Sequence, residues 1–513
     1  MSVAARASAF ASLALVGGVG TVYAPVPTFT AVAVLFALGL WAFAGSRQPA
    51  SAAPKISEEA TIKPRATLVT RLVSAYLLVF WMGLIAPLLA YSPRGPSSVG
   101  VSQGSLSNQV LISTFGLVGS LFLPAAIRRF DKAFQWLVVL WVVYLGWGAA
   151  SLLWSTYPPL TVRNLVAFVL VSVGCFGLGV GFYGNLPNGR DLFLRHIFWA
   201  SVLSALMILL PLPFRFQQYD LLDPSQRLDI GGNFPAYVAR PVMVSLLVLV
   251  ATSILGVRRW LKRDWLWVVL LILPLLALKS RGPVVWGILA LGIFYLFYRT
   301  TIRDRVLQVG VLLMIGVGTY IYYSENVLQT ILGPLVPYLT RGNVEATQNL
   351  TGRLPLWQVL IEQIWQHPWL GAGFAAFWSP IHIAELGSIA LMGRDSAHNG
   401  YLEELLNTGV VGLMILLTFC LGTLTVALRR ARRGDPLGWL VFMLVVYYLL
   451  LNLTNALTQE YFQPPFVAIL LALGLLASGP PVRDQASSGR AGGSAPLTTT
   501  TGRGLMNNQG IKS

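Results

Sequence analysis

The chain has 513 residues, of which 55% are hydrophobic and only 11% are charged, and its mean hydropathy is +0.68. Soluble domains carry about 25% charged residues, so this composition excludes an ordinary soluble protein and predicts an all-α polytopic membrane protein. Lys and Arg outnumber Asp and Glu by 36 to 19, a net charge of +17. In a membrane protein such an excess reflects topology first, and we expect no nucleic-acid partner.

About fourteen apolar segments are predicted to span the membrane, because a hydrocarbon core about 30 Å thick needs about 20 apolar residues per helix, or a few less. They cover residues 8–24, 28–45, 70–91, 110–126, 134–153, 162–182, 196–212, 235–256, 264–278, 283–298, 306–323, 402–428, 437–456 and 464–478. The run from Phe10 to Ala24 also resembles a signal peptide, but a second apolar run follows at once and favours a transmembrane hairpin. We therefore expect about 12 to 14 transmembrane helices.

The basic residues predict which loops face the cytoplasm, because cytoplasmic loops hold an excess of Lys and Arg. With the N-terminus inside, the cytoplasmic segments hold 26 of the 36 basic residues, and their clusters could also contact anionic membrane lipids. These segments are 1–7, 46–71, 127–133, 183–195, 257–263, 299–305, 429–436 and the tail from 479.

This topology divides the chain into six parts. They are a transmembrane hairpin at 1–48, a cytoplasmic linker at 49–69, a transmembrane bundle at 70–323, an outer loop domain at 324–401, C-terminal transmembrane helices at 402–478, and a cytoplasmic tail at 479–513. The tail is rich in Ser, Gly and Thr and is predicted to be disordered.

Ten further basic residues are not needed for this orientation, and most lie in or beside three outward-facing segments, 213–241, 279–282 and 324–401. They are Arg94, Arg163, Arg215, Arg227, Arg240, Lys279, Arg281, Arg341, Arg353 and Arg394. The simplest interpretation is that most of these side chains line one cationic cavity between helices at the outer face. The natural ligand of such a cavity is an anion.

The outer loop contains an apolar pattern at helical spacing, which predicts an amphipathic helix lying at the membrane interface. The pattern consists of Leu354, Trp357, Ile361, Ile364 and Trp365. Thr351 can serve as the N-cap, and Pro368 with Gly371 ends the helix. Arg353 then lies at the helix start, where free backbone N–H groups also favour an anion. The spacing is equally consistent with an Arg353 side chain that is solvated and binds no anion.

A second helix is predicted to begin near His398, with Ser396 or Asn399 as its N-cap. Its apolar face consists of Leu402, Leu405, Leu406, Gly409 and Leu413. A helix N-terminus lowers the pKa of an imidazole and favours its neutral, proton-accepting form, as a general base requires. The alternative is an interfacial histidine that only makes hydrogen bonds.

Arg281 lies in a tight outer turn between two apolar runs, at the membrane boundary. Its planar guanidinium can hold phosphate oxygens in a bidentate manner and stays charged, although snorkelling towards lipid headgroups is an alternative. Arg227 and Arg240 could join the same cavity or pair with nearby aspartates. No metal site is predicted, because the histidines lack ligand spacing, and Cys175 and Cys420 lie inside apolar runs.

Four short motifs follow one another around the outer loop. They are Ser280-Arg281-Gly282; Thr351-Gly352-Arg353 followed by Trp357; His367-Pro368 with Gly371-Ala372-Gly373-Phe374; and His398-Asn399-Gly400-Tyr401-Leu402 with Gly409 and Gly412. In this order they resemble the O-antigen ligase and polysaccharide polymerase superfamily, the integral-membrane glycosyltransferases that share the Wzy_C-type region. The resemblance covers about 265–420.

The resemblance implies a GT-C-like helical fold in the bacterial inner membrane, with the loop domain and the active face in the periplasm. It also implies transfer of a glycan from an undecaprenyl-diphosphate donor without a metal or other cofactor. Arg281 and Arg353 would hold the diphosphate, and His398 would take the proton from the acceptor hydroxyl. Arg227, Arg240 and Asn399 are further candidates for the site.

The resemblance does not determine the acceptor, because relatives differ in what they modify. A ligase would transfer the glycan to lipid A-core, and a polymerase would transfer it to another repeat unit. A third variant modifies protein hydroxyls, and nothing in the residues favours it.

A flippase or other transporter of lipid-linked oligosaccharides is an alternative from another functional class. Transporters place ionisable residues and broken helices near the middle of the membrane. Here the candidate residues gather at one predicted face, which favours chemistry at the surface.

Overall fold

The computed structural model describes residues 68–78, 80, 106–209, 235–257, 264–278, 280–299, 353–387, 396–457 and 464–478. Every regular element in these ranges is helical, as the composition predicted. The predicted hairpin at 1–48, the linker up to residue 67, the span 306–323 and the tail 479–513 lie outside the described residues.

The helices follow the predicted order of apolar segments. They are α1 (Leu68–Leu78), α2 (Leu106–Ser120), α3 (Leu123–Arg129), α4 (Gln135–Ala150), α5 (Pro158–Phe176), α6 (Gly189–Leu209), α7 (Pro235–Ile254), α8 (Asp264–Leu278), α9 (Arg281–Arg299), α10 (Arg353–Gln366), α11 (Pro380–Leu386), α12 (Gly400–Arg432), α13 (Pro436–Leu451) and α14 (Pro464–Ala477). A π-helical turn, Gly177–Phe182, extends α5.

Several helices are long and apolar enough to cross a membrane. Three qualify on their own, Lys132–Leu153, Pro158–Asn185 and Gly400–Arg432, and Gln109–Ser120 with Leu123–Arg129 forms a fourth, bent by 52°. Shorter apolar helices accompany them, including Pro436–Leu451. The described chain is therefore an all-helical, multi-pass membrane protein.

Predicted spans 110–126 and 437–456 differ from the observed helices in their bounds. Span 110–126 is two helices, because the chain bends between Ser120 and Leu123. Span 437–456 is too long, since α13 ends at Leu451 and the chain continues as an irregular turn to residue 457. Asn452 and Asn455 occupy this turn, where their side-chain amides donate to backbone carbonyls of the preceding helix.

Glycine allows the closest contact between α2 and the end of α5. A Cβ atom at Gly177 would lie 1.9 Å from the carbonyl oxygen of Gly119, and a Cβ atom at Gly119 would lie 2.4 Å from Gly174 Cα. Small residues serve this purpose in membranes, where packing replaces the hydrophobic effect between helices.

Two ion pairs join three of the segments predicted to be cytoplasmic. Arg190 donates to both carboxylate oxygens of Asp435, at 2.9 and 3.0 Å, and Arg430 pairs with Asp131. Loops 127–133, 183–195 and 429–436 therefore lie at one end of the bundle.

The amphipathic helix predicted in the outer loop is present as α10, and one of its faces is buried against the protein. Leu356 and Leu360 are buried, with Trp357 and Ile364 packed against them. Ile361 and Trp365 are exposed, which is compatible with the predicted position of this helix at the membrane interface. Helical spacing alone does not decide which apolar residues face the protein when a helix has more than one apolar stripe.

The loop after α10 docks on a break in α12. Gly409 has φ +69° and interrupts the helix, which leaves the carbonyl groups of Leu406 and Asn407 to accept from the N–H groups of Ala372 and Gly373, at 2.8 and 2.9 Å. The loop residue Phe374 then packs against Tyr144 and Phe168 inside the bundle. The loop is thus anchored to the first half of α12, which begins beside His398.

Gly409→Ala is expected to destabilise the protein strongly. The left-handed conformation costs a non-glycine residue about 1 to 3 kcal/mol, and the added Cβ would lie 2.2 Å from the carbonyl oxygen of Trp369. Thermal unfolding in detergent should show a lower midpoint. Gly146→Ala is the matched control, because nothing lies within 4 Å of its Cβ position. An equal midpoint for the two variants would contradict the role assigned to the break.

Candidate functional site

His398 lies in a short bend that precedes α12 and takes a left-handed backbone conformation, with φ +52°. Asn399 is the N-cap, and its side-chain oxygen accepts from the N–H groups of Tyr401 at 2.9 Å and Leu402 at 3.2 Å. The predicted helix start is therefore confirmed, with Asn399 rather than Ser396 as the cap. Ser396 Oγ instead lies 3.3 Å from His398 Nδ1.

The turn after α13, residues 452–457, holds the start of α12. The carbonyl oxygen of Asn452 accepts from Gly400 N–H at 2.7 Å, and the carbonyl oxygen of Leu453 accepts from Asn399 Nδ2 at 3.3 Å. A Cβ atom at Gly400 would lie 1.9 Å from Asn452 Oδ1, so the Asn452 side chain packs directly against the Gly400 backbone.

The same turn contacts the start of α9, where Arg281 is the first residue. Trp286 donates from its indole nitrogen to Thr454 Oγ1 at 2.8 Å, and a Cβ atom at Gly282 would lie 3.2 Å from that hydroxyl. The Arg281 backbone thus begins a helix beside the turn that supports His398.

Arg240 reaches this turn from α7. It is buried, and its guanidinium donates to Asn455 Oδ1 at 3.0 Å. Burying a guanidinium requires partners that compensate for its lost hydration, and the Asn455 amide supplies one of them. Arg240 therefore contacts the same turn that holds the start of α12, and the aspartates of the alternative pairing lie outside the described residues.

Arg353 lies at the first position of α10 and is half-buried. One turn later, the indole nitrogen of Trp357 donates to the carbonyl oxygen of Ala397 at 2.8 Å. The helix that begins with Arg353 is therefore joined to the residue directly before His398.

The turn at 452–457 and the peptide at 397 thus link four predicted segments: Arg240, the start of the Arg281 helix, the Arg353 helix and the His398–Asn399 bend. The Arg281 side chain and the whole of Arg227 lie outside the described residues. The roles of all these residues stay predictions.

Two buried carboxyl groups, Glu403 and Glu404, were not predicted as part of this region. Glu403 accepts from Trp378 Nε1 and from Ala397 N–H, both at 2.7 Å. Glu404 accepts from the Tyr144 hydroxyl at 2.8 Å and from Thr408 Oγ1 at 2.5 Å.

A sequence signal for these residues did exist. Adjacent glutamates inside an apolar helix are costly to bury and need partners. The same reasoning applies to Asn452 and Asn455 at the end of an apolar run. The apolar pattern of the helices does not include any of these four residues.

Two further histidines, His367 and His382, lie on the outer loop. His382 and His367 line a small cavity of about 40 Å³ with Gln363, Gln366 and Phe377. Burial lowers the pKa of His382, Glu385 opposes this effect and His367 adds to it. No group of three His, Cys, Asp or Glu side chains suited to a metal ion occurs in the part of the chain that the structure describes.

The central region of the chain is similar to a known protein family. Residues 266–417 match the sequence model of the Wzy_C family, described as O-antigen ligase. This range runs from α8 to the middle of α12 and contains Arg281, Arg353 and His398. It does not contain Arg240 or the turn at 452–457.

One characterised relative is the general O-oligosaccharyltransferase of Acinetobacter baylyi. It is 26% identical over 194 residues, which cover 34% of this chain and 32% of the relative. The chain thus aligns with about a third of that protein's length.

Proposed function

We infer that this chain, whose residues 266–417 match the Wzy_C family described as O-antigen ligase, is a metal-independent glycosyltransferase. The proposed donor is a glycan linked to undecaprenyl diphosphate, and the acceptor is a hydroxyl group at the periplasmic membrane face. The observation that carries the proposal is the turn at 452–457, which contacts the start of the Arg281 helix, Arg240 and the His398–Asn399 bend.

In the proposed reaction, the acceptor oxygen bonds to the anomeric carbon while the bond from that carbon to the diphosphate oxygen breaks. His398 accepts the hydroxyl proton, since a sugar hydroxyl needs a base near it to become a nucleophile. If Nδ1–H is donated to Ser396, then Nε2 is the nitrogen that accepts.

Negative charge develops on the leaving diphosphate. Positively charged side chains stabilise this charge most when they are already in place and need not rearrange during the reaction. Arg281 and Arg353 are the proposed diphosphate ligands. Each begins a helix, where backbone N–H groups add to the attraction for an anion. Arg240 and Asn399 are proposed to support the site through the turn at 452–457.

Two acceptor classes are supported to different degrees. The family match favours transfer to a glycan acceptor, lipid A-core for a ligase or a second repeat unit for a polymerase. The relative from Acinetobacter baylyi is named an O-oligosaccharyltransferase, which supports a hydroxyl on a protein as a second candidate acceptor.

Vesicles containing the purified protein and a labelled undecaprenyl-diphosphate-linked glycan test the activity directly. We expect the label to move to an added acceptor, with transfer unaffected by EDTA. Movement of intact donor across the vesicle without any transfer would instead indicate a flippase. Loss of transfer with EDTA, restored by a divalent cation, would contradict metal independence.

The products of a deletion strain distinguish the acceptor classes. Unsubstituted lipid A-core beside long chains on the carrier lipid would indicate a ligase, and single-repeat products would indicate a polymerase. Loss of glycan from proteins, with lipopolysaccharide unchanged, would indicate an oligosaccharyltransferase.

A further inference from the structure

The peptide directly before His398 is held from both sides. Ala397 is fully buried, its N–H group donates to Glu403 Oε2 at 2.7 Å, and its carbonyl oxygen accepts from Trp357 Nε1 at 2.8 Å. Both polar groups of this residue therefore have side-chain partners from two different helices, α12 and α10.

The Glu403 carboxyl group is almost fully buried and accepts hydrogen bonds on both of its oxygens. Oε2 accepts from Ala397, while Oε1 accepts from Trp378 Nε1 at 2.7 Å and from Asn407 Nδ2 at 3.3 Å. An indole, a backbone amide and an NH₂ group can only donate, so both oxygens accept in these three bonds. The position of Glu403 in the first turn of α12 also favours negative charge.

The hydrogen bond from Ala397 to Glu403 lies next to a residue, His398, with an unfavourable backbone conformation. His398 has φ +52°, a conformation that a non-glycine residue keeps only where its surroundings fix it. The Glu403 bond fixes the preceding residue, and the Asn399 cap fixes the following one. Without the first bond, the His398 bend can relax towards commoner backbone angles.

We propose that Glu403 is a positioning residue for His398, holding the imidazole at the proton-accepting place through the Ala397 peptide. This inference rests on the proposed function, because it assumes that His398 acts on the acceptor hydroxyl. Glu403 itself does not touch the reacting atoms in this proposal. Its contribution is the orientation of a base, which a small displacement is enough to impair.

Glu403→Gln is the test variant. The amide orientation that keeps the Trp378 and Asn407 bonds places NH₂ opposite Ala397 N–H, so two donors face each other. Losing one bond to a charged acceptor at this place should lower kcat by about 10- to 100-fold. The KM for the lipid-linked donor should change little, because the diphosphate ligands are elsewhere.

Glu404→Gln is the matched control, since it removes a carboxyl group that is equally buried and adjacent in sequence. Tyr144 and Thr408 both donate to Oε1 of Glu404, so a glutamine whose amide oxygen takes that position keeps both bonds. We expect nearly normal kcat for this variant. If both variants lose kcat equally, Glu403 has only a general stabilising role and the inference fails.

Hydrogen exchange of the backbone amides at 396–402 supplies a readout that does not need catalysis. Exchange should become faster in Glu403→Gln and stay at the wild-type rate in Glu404→Gln. Unchanged exchange in both would overturn the bracing role even if the protein proved to have no transferase activity. If Glu403→Gln shows wild-type transfer and unchanged exchange, this inference is wrong, but the proposed function is not affected.

Glu403→Asp covers the case in which the glutamine variant does not fold. It keeps the charge but withdraws the oxygens by one methylene, so we expect folded protein with intermediate kcat and intermediate exchange. Wild-type values for both would contradict the need for the Ala397 bond.

Discussion

His398→Ala is expected to reduce glycan transfer by about 10²- to 10⁴-fold, the usual contribution of a positioned general base. The protein should still insert into the membrane and bind the lipid-linked donor, because the substitution removes the base without touching the proposed diphosphate ligands. Transfer measured in vesicles under saturating donor separates these effects. Near-normal turnover would remove the base role.

Backbone strain has to be separated from the loss of the imidazole in this experiment. Position 398 has φ +52°, which alanine adopts at a cost and asparagine adopts more readily. His398→Asn should therefore restore any lost stability while leaving transfer absent. His367→Ala is the matched control on the same loop, because that side chain is exposed and its ring is not in the proposed site. Recovery of transfer in His398→Asn would point to the backbone rather than the base.

Arg281→Gln and Arg353→Gln are each expected to lower kcat/KM for the donor by about 100-fold or more. Removing one preorganised donor to a developing anion has an effect of this size. Lysine at either position should recover part of the loss, since it restores charge but not the bidentate geometry of the guanidinium. Initial rates at low donor concentration, measured in vesicles, give kcat/KM directly.

Arg429→Gln is the control for this pair, because Arg429 is an exposed residue near the far end of α12. It changes the net charge by the same amount without approaching the proposed site. Donor use at the wild-type level in both test variants would show that the cationic cavity is wrong. A loss in Arg429→Gln as large as theirs would show that net charge, rather than a specific contact, is responsible.

The helices themselves were largely predictable, and the reason is physical. A hydrocarbon environment requires every backbone group to be satisfied within the segment, so long apolar runs become helices. The prediction at 264–278 coincides with α8, and the end of α10 before Pro368 was also predicted. The N-cap motif at Asn399 fixes the start of α12 by local hydrogen bonds, which sequence does specify.

The interruptions were less predictable, since they depend on partners distant in the chain. The break at Gly409 persists because Ala372 and Gly373 supply donors to the freed carbonyl groups. The early end of α13 at Leu451 is stabilised by side chains of the turn itself, and by its contacts with Gly400 and Arg240. Judged from hydropathy alone, the apolar segments continue through both Gly409 and Leu451.

The sequence by itself determined the class of protein, the approximate spans and a helix start near His398, because each depends on composition or on neighbours within a few positions. Only the tertiary structure decided that Arg240, the Arg281 helix, the Arg353 helix and the His398 bend are linked through the turn at 452–457 and the peptide at 397. It also decided that Glu403 is buried against Ala397 and Trp378. These contacts join residues from separate helices, and their geometry follows from how the helices pack rather than from any local pattern.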